Sequence, residues 1–497
     1  MARKFQNFID GAWMDAISGK TFENRNPANW DEVVGTFPKS GKDDVEVAIR
    51  AARRAFEEWR LVPAPKRGDI LKKVGDLMVE KKEELAKLMT REMGKVLAET
   101  RGDVQEGIDT AYYAASEGRR LFGHTVPSEL PNKFNMAMRV PIGVAGIITP
   151  WNFPMAIPTW KIFPALVCGN TVVFKPASDT PATATALVEI LAEAGIPAGV
   201  VNIVHGGGGE VGNAIVGHDE VDLVSFTGST VVGKKISEMA SATLKRVSLE
   251  LGGKNAQMVM PDANMELALE GVLWGAFGTT GQRCTATSRL LLHEKIHDAF
   301  VAELVKRVEA LKLGDGLKPG IDVGPCVNES QQQTVQSYVD IGLKQGAKVV
   351  AGGKIPKDGD LAKGWFYRPT VFTGVQPDHR IAKEEIFGPV LSVIKFRTLE
   401  EGIRILNDTI YGLSSSLYTT NINDAYTAIR DIKAGITYIN APTIGAEAHM
   451  PFGGVKQTGN GHREGGWTVY DFFSEWKTVY VDYSGGLQRA QIDNYKD

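Results

Sequence analysis

The chain has 497 residues, 43% hydrophobic and 23% charged, which predicts a folded enzyme of two or three domains. A formal net charge of −3 supplies no bulk positive field for nucleic acid or an anionic membrane. No apolar run is long enough to span a bilayer, no apolar signal core opens the sequence, and three cysteines cannot form a closed disulfide set, so a cytoplasmic protein is expected.

Residues 5–37 alternate short apolar runs with the turn signals Asp10-Gly11, Ser18-Gly19 and Asn26-Pro27, predicting a β-meander or extended arm. Residues 43–60 place Val45, Ala48, Ile49, Ala52, Phe56 and Trp59 at helical spacing. The spans 66–89 and 103–121 read as two more amphipathic helices. From residue 140 the pattern changes: strands are predicted at 144–148, 171–174, 200–204, 221–226 and 247–251, with helices at 155–167, 180–194, 209–217 and 230–242 between them. Such alternation predicts a doubly wound parallel sheet, which binds ligands beyond the carboxyl ends of its strands. Residues 256–440 repeat it with strands at 257–260, 290–293, 347–351, 389–395 and 415–418, and surface loops at 352–364 and 374–380. The β-prone tail, 468–483, is a candidate to pair with a partner's sheet edge.

Chemistry concentrates in a few stretches. An apolar helix pattern runs into Gly275-Ala-Phe-Gly-Thr-Thr-Gly-Gln-Arg-Cys-Thr, which puts Cys284 on a glycine- and threonine-rich loop. A cysteine there is accessible and open to activation by backbone N–H groups. Glu250 ends an apolar strand pattern. Gly206-Gly-Gly-Gly-Glu-Val-Gly reads either as a flexible turn or as bare backbone that a nucleotide can approach. Phe226-Thr-Gly-Ser-Thr-Val-Val-Gly ends a strand and opens a helix, whose free N–H groups suit a pyrophosphate. Cys168 reads as core and Cys326 has no partner motif; the eight histidines are scattered, so no metal site is expected.

Glu250-Leu-Gly-Gly-Lys and Gly281-Gln-Arg-Cys, in that order, resemble two signatures of the aldehyde dehydrogenase superfamily, and the resemblance runs from residue 26 to about residue 481. It implies an α/β fold: a Rossmann-like cofactor domain (1–121 and 141–253), a second α/β catalytic domain (254–457) and a small β oligomerisation element (122–140 and 470–497). A homodimer or homotetramer is implied, with residues 478–481 pairing across subunits with the segment 130–140. By the same resemblance Cys284 is the nucleophile, Glu250 the base that activates water, and the Asn152 amide with the Cys284 N–H the oxyanion donors. The plainer reading of Asn152 is a cap on the following helix.

The cofactor-binding residues implied are Ile148, Pro150, Trp151, Lys175, Ser178, Gly208, Gly212, Phe226, Gly228, Ser229, Gly233, Leu251, Glu385 and Phe387, with Glu385 on the nicotinamide ribose. Many NAD-preferring members carry Glu where this chain has Ser178; losing that carboxylate beside Lys175 predicts that NADP is accepted as well as NAD. Retention of Glu250 predicts a free acid product rather than a coenzyme A thioester. The segment around Cys284 looks most like members acting on semialdehyde acids such as 2-oxoglutarate or aminoadipate semialdehyde, with Arg283, Thr285 and Phe452 at the substrate; broad aliphatic and aromatic specificity is the alternative. Thr458-Gly-Asn-Gly-His-Arg-Glu carries one residue more than the usual family pattern.

Overall fold

A computed structural model describes residues 3–492. Residues 1–2 of the expected cofactor domain and 493–497 of the expected oligomerisation element lie outside the described residues. The anticipated alternation builds a seven-stranded sheet in the order Arg246–Glu250, Leu223–Thr227, Val144–Ile148, Thr171–Lys175, Val201–Ile203, Asn7–Ile9, Ala12–Met14. The first five strands are parallel and nearly all buried, as continuous Val/Ile-rich runs require when helices cover both faces.

The N-terminal meander divides. Asn7–Ile9 and Ala12–Met14 form a hairpin that joins the sheet edge antiparallel, with Phe8 opposite Ile203. Thr21–Arg25 and Val33–Pro38 instead make a separate three-stranded sheet with Arg3–Lys4. The helix expected over 66–89 is two helices, Ala64–Glu80 and Lys82–Met93, broken where Lys81 leaves the helical basin at φ −96°, ψ 8°. That break lets Val74 and Met78 on one side, and Leu85 and Met89 on the other, enter the same core. The following helix starts earlier than expected and spans Leu97–Glu117. Residues 209–217 hold a π-turn, Gly208–Gly212, before the short helix Asn213–Gly217.

A second seven-stranded sheet runs Lys348–Ala351, Thr370–Thr373, Val390–Phe396, Thr287–His293, Asn255–Val259, Ser414–Tyr418, Ile436–Ile439. Thr370–Thr373 and Ile436–Ile439, too short for a clear period, were not anticipated.

The third sheet corrects an expectation. Ser474–Asp482 pairs antiparallel with Lys133–Pro141 of the same chain, in register over the whole strand, and His124–Pro127 completes the sheet. Pairing of 478–481 with 130–140 is therefore intrachain. The antiparallel ladder saturates both strands on that side, so only the outer edges of this sheet remain for a partner. Among the described residues no helix is long and apolar enough to cross a membrane.

Candidate active site

Strand register assembles the motifs. Lys175, Ile148, Phe226 and Leu249 stand opposite one another at the carboxyl ends of four adjacent parallel strands, and Thr227 faces Glu250 in the next row. The loops after three of these strands, at 150–152, 227–229 and 251–252, line one cleft.

The Cys284 loop is held by strain and by hydrogen bonds. Thr279, Thr280 and Gly281 adopt φ of 53°, 58° and 68°, costly for β-branched residues. The Thr279 N–H donates to Glu99 Oε1 (2.7 Å) and the Thr280 hydroxyl to the Gly324 carbonyl (2.9 Å). Gln282 accepts from the Val327 N–H at 2.9 Å. A Cβ on Gly281 would stand 2.2 Å from the Gly388 carbonyl oxygen, so only glycine closes this turn. Asn255 Nδ2 donates to the Cys284 carbonyl at 2.7 Å.

Cys284 itself is half-buried. Its thiol does face its own N–H and that of Thr285, as the loop reading required, but burial, with Glu385 and Glu250 nearby, holds it up at about 12. Burial thus opposes the two N–H groups at the sulfur.

Two cavities meet at Cys284. A cleft of about 240 Å³ is lined by Pro150, Trp151, Asn152, Ser229, Glu385 and Phe387, among others. A pocket of about 400 Å³ is lined by Glu250, Arg283, Thr285, Phe452 and the aromatic rings of Phe153, Trp160 and Trp274. Cys284, Ile157, Thr227 and Leu251 line both. A group bound in the cleft and one bound in the pocket therefore face each other across the sulfur.

Glu250 ends its strand fully buried, and neither carboxylate oxygen has a hydrogen-bond partner in the protein. Burial, reinforced by Glu464, raises its pKa well above the usual carboxylate range; Lys161 and Arg463 partly oppose this. Gly453 makes room for it, since a Cβ there would lie 2.5 Å from Glu250 Oε1. Behind it, Lys161 Nζ donates to Glu464 Oε1 (2.6 Å) and to Ser225 Oγ (2.8 Å). Asn152 is 2% exposed. It does not cap the next helix: Asp103 Oδ1 accepts the Ala156 N–H at 2.8 Å and takes that role.

In the cleft, Glu385 Oε1 accepts the Gly253 N–H at 2.9 Å, and a Cβ on Gly252 would come within 2.3 Å of Oε2. Burial pushes this carboxyl up to about 7, against the Gly253 N–H and Lys254. Phe387, at φ 56°, meets Trp151 edge-to-face at 5.3 Å, and Gln331 Nε2 holds that strained turn by donating to the Phe387 carbonyl at 2.8 Å. Ser229 caps the helix Thr230–Ser241, and its Oγ accepts the Val232 N–H. Gly233 admits Leu251, whose Cδ2 would lie 2.4 Å from an added Cβ; Gly228 admits the Phe226 ring at the same distance.

Gly207, Gly208 and Gly209 meet no protein atom where a Cβ would stand, so bare backbone faces open space beside Ser178 and Gly212, a cradle that fits a dinucleotide. Ser178 Oγ donates to the Gly206 carbonyl at 3.2 Å. Lys175 is buried, which pulls its ammonium down to about 8 against the attraction of Asp179.

At the substrate side, Phe452 packs on Trp160 with centroids 4.8 Å apart, and Thr285 is buried in the lining. Arg283 lines the pocket already engaged: Nη2 donates to Glu99 at 3.2 Å and Nε to Thr279 Oγ1 at 2.8 Å. Glu99, Lys161, Gln331, Gly453 and Glu464 were missed by sequence reasoning. Lys161, a lone charge in the apolar run 156–168, carried the one local signal that could have exposed a member of this set.

A thiol at the junction of a nucleotide cleft and an apolar pocket, with a partnerless buried carboxylate alongside, defines a cofactor-dependent enzyme with a covalent intermediate. Residues 13–479 match the family model described as aldehyde dehydrogenase family. The chain is 44% identical to an alpha-ketoglutarate semialdehyde dehydrogenase of Haloferax volcanii, over 96% of this chain and 99% of that protein. It is 43% identical to an alpha-ketoglutaric semialdehyde dehydrogenase of Bacillus subtilis, over 96% and 98%. Among solved structures it matches an NAD-dependent aldehyde dehydrogenase from Sinorhizobium meliloti with a TM-score of 0.95 and 40% identity, covering 98% of this chain and 96% of that one. A betaine aldehyde dehydrogenase from Staphylococcus aureus in complex with NAD+ matches with a TM-score of 0.95 and 37% identity, covering 97% and 96%. The chain belongs to the aldehyde dehydrogenase family, whose members oxidise an aldehyde to the carboxylic acid with NAD(P).

Proposed function

We propose that this enzyme oxidises a small semialdehyde acid to the free dicarboxylic acid, with Cys284 as nucleophile, Glu250 as base, and Asn152 with the Cys284 N–H as oxyanion donors. The observation that carries the reading is the sharing of Cys284 by cleft and pocket, with Glu250 buried and partnerless in the pocket wall.

Burial raises the Glu250 carboxyl well above the usual carboxylate range, which makes its deprotonated form a stronger base. Glu250 takes the thiol proton, the sulfur adds to the aldehyde carbon, and the oxyanion of the thiohemiacetal lies against the Asn152 amide and the loop N–H. The bound nicotinamide cofactor supplies the hydride acceptor. Once Glu250 has passed that first proton to solvent, it deprotonates a water, whose oxygen adds to the thioester carbonyl left on Cys284; the C–S bond breaks, the acid leaves, and Glu250 returns its proton to the thiolate.

Glu385 would hold the nicotinamide ribose, with Phe387 and Trp151 beside it and Ile148, Pro150, Phe226, Gly228 and Leu251 forming the floor. Ser229 and the helix it caps would take the pyrophosphate, Gly233 letting that helix approach. Gly208 and Gly212 would line the adenine side, with Ser178 and Lys175 at its ribose. No carboxylate stands at position 178, so NADP is used alongside NAD.

The semialdehyde reading is supported by the names of the two relatives above, by Arg283, Thr285 and Phe452 in the pocket, and by its size. Residues 1–121 with 141–253 serve the cofactor, 254–457 carry the catalytic loop, and 122–140 with 470–497 serve assembly as a homodimer or homotetramer. A cytoplasmic location fits its three free cysteines. Initial rates of cofactor reduction with 2,5-dioxopentanoate, pentanal and betaine aldehyde, each with NAD and NADP, test the proposal. A kcat/KM for pentanal or betaine aldehyde above that for the semialdehyde acid would overturn the substrate assignment.

A further inference from the structure

The helix Leu97–Glu117 presents Glu99, Asp103 and Glu106 to the substrate pocket. Their spacing puts all three on one helix face. Two are answered by cations: Glu99 by Arg283 at 3.2 Å, and Asp103 by the buried Lys95 at 2.8 Å. Glu106, partly buried, forms no direct ion pair among the described residues, and its Oε1 is shut off from solvent without a hydrogen-bond partner.

Its position is as informative as its isolation. Glu106, Gly102 and Ala446 line both the substrate pocket and an outer cavity of about 400 Å³, so the acid stands at the neck between solvent and Cys284. The charged and titratable groups around it come from several elements. Asp103 and Asp109 share its helix, Lys95 lies just before that helix, and Arg283 comes from the cysteine loop. Tyr438 reaches it from the strand Ile436–Ile439, and Glu447 and His449, themselves paired at 3.2 Å, line the outer cavity. Three carboxylates on one face with two cations leave one favoured as the neutral acid. Burial and the two aspartates raise the Glu106 carboxyl to about 8, with Lys95 and Arg283 offsetting only part of this.

An acidic wall is paradoxical in a pocket read as taking an anionic semialdehyde. We propose that Glu106 resolves it as a specificity residue: in its neutral form it donates a hydrogen bond to the oxo-acid tail of the substrate while Cys284 engages the aldehyde end. The inference rests on the substrate class given under Proposed function. A protonated carboxyl is both an uncharged neighbour and a strong donor to a carboxylate; an ionised one repels it.

The test is the ratio of kcat/KM for 2,5-dioxopentanoate to that for pentanal, measured from about pH 6.5 to about pH 9.5. Taking the ratio cancels titrations of Cys284, Glu250 and the cofactor site, which act on both aldehydes. The wild-type ratio should fall about tenfold as pH rises past about 8. Glu106→Gln, which keeps a donor, should hold the ratio high and flat; Glu106→Leu should hold it low and flat. Cofactor binding by fluorescence quenching reports that both variants are folded. A flat wild-type profile with the preference for dioxopentanoate intact, or a Leu variant that keeps the preference, overturns the role of Glu106 alone. A preference for 4-aminobutanal over pentanal that grows with pH overturns it in favour of an ionised cation site. No preference for dioxopentanoate at any pH overturns the substrate reading itself.

Discussion

Lys161 and Glu464 lie 303 residues apart in sequence and meet at 2.6 Å, with side-chain exposures of 0% and 2%. Ser225 completes the cluster, and Glu250 faces it from the neighbouring strand. Removing one partner of such a pair leaves an uncompensated charge in a medium that cannot solvate it, at about 3–5 kcal/mol. Lys161→Met should therefore cost the fold about that much in urea unfolding, and Lys161→Met with Glu464→Gln should recover most of the loss. A single variant as stable as wild type would show that the charge is compensated elsewhere.

Cys284→Ala should abolish cofactor reduction while leaving cofactor binding intact. Glu250→Gln separates the two halves of the reaction. With Glu250 serving both the thiol and the thioester, the single-turnover burst of reduced cofactor should be lost and the steady state should slow about 10²–10⁴-fold. A surviving burst with a slow steady state would confine Glu250 to the thioester and leave the thiol to another base. Unchanged steady-state turnover excludes Glu250 as the base.

Glu385 links the cofactor cleft to pH-dependent stability. Its folded pKa of about 7 exceeds that of an unfolded glutamate, so the native state binds the proton more tightly. Its contribution is greatest below about pH 4.5 and is lost as pH rises through about 7. The stability difference between wild type and Glu385→Gln should shift against wild type across that window, by on the order of 1–3 kcal/mol. A constant difference in denaturant titrations would mean that the carboxyl is ionised in the native cleft throughout.

Ser178→Glu should depress use of NADP far more than use of NAD. A carboxylate about 4 Å from a 2′-phosphate is repelled by about 4 kcal/mol at an effective dielectric of about 20, whereas NAD gains a hydrogen bond of about 1 kcal/mol. An unchanged ratio of the two cofactors in the variant would place Ser178 away from the ribose.

The strand Ser474–Asp482 exposes Trp476, Tyr480 and Val481 while its inner edge is saturated by Lys133–Pro141. Trp476→Glu with Tyr480→Lys should shift the assembly toward monomer in sedimentation velocity without unfolding the chain. A wild-type sedimentation coefficient in the double variant would move the interface off this face.

Local pattern reached far in this chain. The alternation of apolar strands and helices specified two α/β layers because a buried parallel strand needs a continuous apolar run and its crossover helix needs a 3.6-residue period, and both periods are written locally. Cys284, Glu250, Asn152, Ser229 and Glu385 could be singled out because each lies in a short contiguous motif at the end of an element: Asn152 and Ser229 between a strand and a helix, Cys284 and Glu385 between a helix and a strand, and Glu250 at the last residue of a strand. Tertiary structure alone decided the rest. Whether Lys161 meets Glu464, whether Gly453 leaves space for Glu250, and whether Arg283 faces Glu99 depend on segments brought together by strand register. The partner of the C-terminal strand was decided in the same way, since a β-prone run specifies that it must pair but not with what. The thiol's surroundings have the same origin: loop position predicted backbone donors, and only the packed cavity set the burial that opposes them.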